Sequence, residues 1–167
     1  MSAPSPARAL ISLSLSFRPL AQQIGSLRGA LSDLYAPYLA PDQLSRVLLA
    51  AHELLENIVK YSTGDFAELH AALEPQGSTY RVRLRTKNRT HESRLADARQ
   101  RLDALNAAPD PVLHYDELIR ASAGRRDVSG LGLARIPAES DMRLLYAIEH
   151  DWLTLTAETD ALPRGAA

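Results

Sequence analysis

Glu53, Asn57 and Lys60, in the segment AHELLENIVKYS, lie four and then three residues apart. On a helix that spacing puts all three on one face. Each has a use beside a phosphate. A carboxylate such as Glu53 can take a proton from an attacking hydroxyl or water. The Asn57 amide oxygen is a neutral, hard ligand of the kind Mg²⁺ takes. The Lys60 ammonium can neutralise phosphate charge. Similar triplets lie on helices that merely face solvent, so a binding edge and a solvated face both stay open. A second feature is SGLGLARI, where Gly130-Leu131-Gly132 leads into an apolar stretch. A loop that opens a helix exposes backbone N–H groups and favours an anion. A plain turn is the other reading. The loop before it, SAGRRDVSG, is basic through Arg125 and Arg126. Asn88, in RTKNRT, offers an amide that either accepts a hydrogen bond in a site or caps a helix starting near His91.

These residues need elements to hold them. LISLSLSF, residues 10–17, alternates without a fault and predicts a half-buried strand with Ile11, Leu13, Leu15 and Phe17 on one side. Pro19 then opens an expected helix with Leu20, Ile24, Leu27, Leu31 and Leu34 as its stripe. A second helix is expected from Pro41 to about Tyr61, with Leu44, Val47, Leu48, Ala51, Leu55 and Ile58 inward and Ser62-Thr63-Gly64 ending it. Two strands joined at PQGS follow: Ala67, Leu69, Ala71 and Leu73 alternate in one, and Tyr80, Val82 and Leu84 in the other. Arg81, Arg83 and Arg85 fall on the second strand's opposite face. A polar helix over 91–106 and a shorter one over 113–121 come next, then the helix that starts near Gly130. Pro137 inside it predicts a kink or an end. Leu144, Tyr146 and Ile148, then Leu153, Leu155 and Ala157, mark two closing strands around a His150-Asp151 turn. The order predicts an α/β two-layer sandwich: a mixed, largely antiparallel sheet with helices on one face.

The 167 residues fit one domain. A net charge of −1 and few aromatic residues argue against a nucleic-acid partner. No apolar run is long enough for a bilayer, and MSAPSPARAL lacks the apolar core of a signal peptide. The absence of cysteine excludes thiolate metal sites, disulfides and a cysteine nucleophile, and fits a reducing cytoplasm. The histidines show no metal-ligand spacing.

In order and separation, HELLENIVKYS and SGLGLARI resemble the N-box and second glycine box of the GHKL superfamily, the group of gyrase, the Hsp90 chaperones, histidine kinases and anti-sigma-factor serine kinases. Within it the chain is most similar to SiaB-type kinases of bacterial partner-switching systems, through the asparagine of RTKNRT, the polar helix after it, HYDELIR and GLGLARI. The likeness covers about residues 10–158, leaving 1–9 and 159–167 as expected flexible tails. It implies a Bergerat-type fold that binds ATP and Mg²⁺. Glu53 would be the polarising base and Asn57 the Mg²⁺ ligand. Lys60, Asn88, Gly130, Leu131 and Gly132 would hold nucleotide, with residues 107–129 as a lid. The partner would be a small regulatory protein phosphorylated on Ser or Thr, and the family reading leaves room for a homodimer. One motif departs: where the superfamily has Asp-x-Gly-x-Gly, this chain has Lys87-Asn88-Arg89-Thr90. That departure keeps a second expectation open, a binding module that sequesters its partner without ATP turnover.

Overall fold

The fold is taken from a computed structural model, which describes residues 9–123 and 130–165. Arg125 and Arg126 lie outside the described residues. The order is β1 (Ile11–Phe17), α1 (Gln23–Tyr35), α2 (Pro41–Tyr61), β2 (Ser62–Gln76), β3 (Thr79–Thr90), α3 (Glu92–Ala107), α4 (Pro111–Ser122), α5 (Leu131–Glu139), β4 (Arg143–Glu149) and β5 (Trp152–Ala161). The strands form one sheet in the order β1-β2-β3-β5-β4. Every neighbouring pair is antiparallel, so the expectation of a mixed sheet is corrected. Connectivity fixes two of the four pairings: β2–β3 and β4–β5 are joined by tight turns, which can link only antiparallel strands.

Alternation in the sequence becomes alternation in burial. Leu69, Ala71 and Leu73 of β2, Val82 and Leu84 of β3, and Leu153, Leu155 and Ala157 of β5 are buried on the helix side. The opposite face carries Arg81 paired with Asp160 and Arg83 paired with Glu158 and Glu74. Gly77 turns the β2–β3 hairpin at φ 61°, a backbone conformation that costs glycine nothing.

α2 is the spine of the helical layer. Pro41 suits its first turn and Asp42 its positive end. Val47, Ala50, Ala51, Leu54, Leu55 and Ile58 are buried against the sheet and its neighbours. Each of the larger ones contributes about 1.5–3 kcal/mol by leaving water. α2 ends at Tyr61 as expected, with Ser62 as its C-cap. Ser62 enters β2 directly, and the register with β3 shifts between Ser62 and Ala67, so the irregularity is taken up inside the strand.

Two other boundaries differ from expectation. α1 begins at Gln23, because Arg18–Gln22 first make a tight turn in which the Leu20 carbonyl accepts from the Gln23 N–H. Leu20 and Leu34 are exposed, while Leu31 and Tyr35 fill the core. At the other end β5 continues past 158 to Ala161, where it still pairs with Tyr80. Pro163 bridges Leu39, and the Arg164 N–H and guanidinium donate to the carbonyls of Tyr38 and Ala36. The segment 159–165 is thus tied to the connection between α1 and α2 by backbone and side-chain hydrogen bonds.

Candidate functional site

A cavity of about 700 Å³ lies where the C-terminal half of α2, α3, α4 and the start of α5 meet. Among the predicted residues, Asn57, Lys60, Gly130 and Leu131 line it. α2 supplies the first two from one face. The other two come from the α5 entrance, where Gly130 adopts φ 100° as the residue before the helix. Only glycine takes that conformation without strain, which explains its place there. The first N–H groups of α5 are those that a helix leaves without internal partners.

Glu53 and Gly132 do not line the cavity; they lie against each other behind it. A Cβ on Gly132 would overlap Glu53 Oε2, so the missing side chain makes room for the carboxylate. Glu53 is 8% exposed. Its Oε1 accepts from Arg135 Nη1 at 3.1 Å, and Arg135 Nε donates to Glu139 at 2.8 Å. Burial pushes the Glu53 carboxyl above its ordinary range, opposed by the hydrogen bond and charge of Arg135. The expectation that Glu53 faces the glycine loop across an open hollow is therefore corrected: α2 and α5 close directly on each other at that level.

Asn88 is buried in β3, between Ala67 of β2 and Leu153 of β5. It does not cap the next helix. That position belongs to His91, which makes no side-chain cap. Instead Asn88 Nδ2 donates to Thr90 Oγ1 at 3.0 Å, and Thr90 and Leu153 both line the cavity. Asn88 Oδ1 and Asn57 Nδ2 are buried without a hydrogen-bond partner. Orphaned buried polar atoms of this kind are costly and are common where a ligand completes the network.

α3 and α4 supply walls of the cavity that were not expected from the sequence. Arg94, Asp97, Arg101 and Leu105 recur on one face of α3, and His114 and Leu118 face the cavity from α4. Helical spacing in RLADARQRL carried that signal, but charged residues at such spacing ordinarily face water. Pro111 and an Asp110 side chain accepting from the N–H groups of Val112 and Leu113 start α4. α5 runs through Pro137 to Glu139, because the proline comes so late that only the hydrogen bond to Leu133 is lost. Lys60 Nζ and Arg94 Cζ each lie 5.4 Å from the Tyr61 ring centroid, which places two cations at one end of the hollow. Arg101 lies seven residues further along α3, over Gly130. Among the described residues no cluster of His, Asp or Glu could hold a metal alone. The volume and the unpartnered amide atoms leave room for a polar ligand, and the three cations suit one bearing phosphates.

No family model matches the chain, and no curated protein sequence does. A solved structure does match: a chain of the SiaB–SiaC complex from Pseudomonas aeruginosa, at 18% identity and a TM-score of 0.61, over 92% of each chain. At that identity the likeness establishes the shared fold. No described helix is long and apolar enough to cross a membrane.

Proposed function

We propose that this chain is a GHKL-type partner-switching regulator of Bergerat fold. It binds ATP with Mg²⁺ and phosphorylates a Ser or Thr of a small antagonist protein in the cytoplasm. The observation that carries the reading is the cavity shared by Asn57, Lys60 and the Gly130-Leu131 entrance of α5. The fold shared with a chain of the SiaB–SiaC complex supports a small protein as partner. In this reading Asn57 ligates Mg²⁺, Lys60 and the α5 amides hold phosphate, and Asn88 Oδ1 accepts from the base. Mg²⁺ supplies charge neutralisation for the transferring phosphoryl group. Glu53, one helical turn before Asn57, would accept the proton of the incoming hydroxyl once Arg135 releases it and α5 moves off it to open it to the cavity.

A second reading is favoured by one observation: the Glu53 carboxylate is engaged by Arg135 and packed on Gly132. Under it the chain sequesters its partner without turnover. Two measurements separate the readings. A ligand that binds only the folded protein raises its melting temperature, by about 2.7 kcal/mol of stability at 100 times Kd. Mg-ATP should do so for the wild type and far less for Asn57→Ala. Transfer of labelled γ-phosphate to the protein co-purifying from the native host should then be lost in Glu53→Ala, with the melting shift kept. A melting shift without transfer supports the binding module. No shift at millimolar Mg-ATP refutes the nucleotide site.

A further inference from the structure

We infer that Arg101 reads the terminal phosphate of the bound nucleotide and that Asp97 competes for it. This deepens the nucleotide reading above and rests on it. Neither residue belongs to the glycine loop or to the Asn57 stripe. Both come from α3, and both line the cavity.

Three observations converge. A Cβ at Gly130 would stand 3.3 Å from Arg101 Nη1 and 3.4 Å from its Cδ, so the guanidinium lies on the entrance of α5. That is where the helix leaves N–H groups for an anion. Second, Asp97 holds the guanidinium as a fork: Nε donates to Oδ1 at 3.1 Å and Nη2 pairs with Oδ2 at 3.0 Å. A carboxylate gripped in this way has the geometry of two phosphate oxygens, so a phosphate can take its place without moving the arginine far. Third, Lys60 and Arg94 gather around Tyr61. The cations are thus spread along the hollow rather than gathered at one point, and Asn57, with its unpartnered Nδ2, lines the same hollow. An extended polyanion matches that distribution better than a compact one.

The prediction is a difference between nucleotides. Hydrogen bonds to charged groups are worth enough that losing the fork should weaken Mg-ATP about tenfold or more. ADP, which lacks the terminal phosphate, should change by about threefold or less on the same reasoning. Asp97→Asn removes the competing charge and should tighten ATP by a few-fold. Arg101→Lys keeps the charge but not the fork and should fall between. The Arg101–Asp97 pair is solvent-accessible, so neither variant should shift the melting temperature of the free protein by more than about 2 °C.

Isothermal titration of the full chain with Mg-ATP, Mg-ADP and inorganic tripolyphosphate tests this, on the wild type and on Arg101→Gln, Arg101→Lys and Asp97→Asn. Selective loss of ATP and tripolyphosphate in Arg101→Gln, with a gain in Asp97→Asn, supports the inference. Equal losses of ATP and ADP overturn it while leaving the nucleotide site standing. Arg101-dependent tripolyphosphate binding without any nucleotide binding supports the phosphate contact and refutes the nucleotide reading. If the wild type takes up none of the three, both fail.

Discussion

The contact between Glu53 and Gly132 makes a prediction whose sign depends on background. Gly132 lies in the first turn of α5 and its φ is not positive, so alanine there gains helix propensity of up to about 1 kcal/mol. Against this, the new Cβ would overlap Glu53 Oε2 while Glu53 Cδ and Cβ stay at 3.5 and 4.0 Å. Only the carboxylate must move. Moving it breaks its bond to Arg135 inside a pocket where Glu53 is nearly buried. Loss of a charge-assisted bond of this kind costs about 1–3 kcal/mol. Gly132→Ala should therefore be neutral to destabilising by about 2 kcal/mol in the wild type. In a Glu53→Ala background the obstacle is gone, and the same change should stabilise by up to about 1 kcal/mol. Urea unfolding of the four proteins gives the coupling directly. We expect about 1–3 kcal/mol, well outside the roughly 0.3–0.5 kcal/mol within which independent sites add. Additive free energies, or a wild-type background stabilised as much as the Glu53→Ala one, would refute the packing account.

Two further predictions concern the carboxylates around the site. Burial raises the Glu53 carboxyl above its ordinary value of 4.5, with Arg135 opposing. A raised acid contributes stability that is full below the ordinary value and lost as pH rises through the folded one. The stability of the wild type relative to Glu53→Gln should thus fall as pH climbs from about 4.5 towards neutral, read by thermal melting. A pH-independent difference would show that desolvation is not the dominant cause. Asp110→Ala removes the cap whose Oδ1 accepts from Val112 and Leu113 N–H at 2.9 and 3.0 Å. It should cost about 1 kcal/mol, or about 2–4 °C. Hydrogen exchange at those two amides should accelerate, and unchanged exchange would contradict the capping role.

Strict alternation in LISLSLSF and the apolar stripe from Leu44 to Ile58 were enough to read β1 and α2, because each element has one wet and one dry side. Boundaries failed where local geometry competes with punctuation. Pro19 looks like a helix start but leads a turn, whereas Ser62-Thr63-Gly64 ends α2 where expected but gives no sign that β2 begins at once. Helical spacing put Glu53 and Asn57 on one face, yet it could not say which element packs on each. One turn apart, Asn57 meets the cavity while Glu53 meets Gly132 of α5. The α3 wall was illegible for a related reason. Arg94, Asp97 and Arg101 are exposed at ordinary helical spacing, and only the placement of α4 and α5 shows that they also line the cavity. Asn88 stood open between a site acceptor and a helix cap, and the strand pairing shows it buried in β3, where its Nδ2 donates to Thr90 and it caps no helix.

The claim on which the account rests is that the hollow between α2 and the α5 entrance holds a triphosphate. A crystal structure of the full chain grown with Mg²⁺ and a non-hydrolysable ATP analogue tests it most directly. The phosphates should lie between Asn57 and the Gly130-Leu131 amides, with Arg101 turned from Asp97 towards the terminal one. Clear nucleotide density on another surface, or a hollow left empty at saturating analogue, would contradict it.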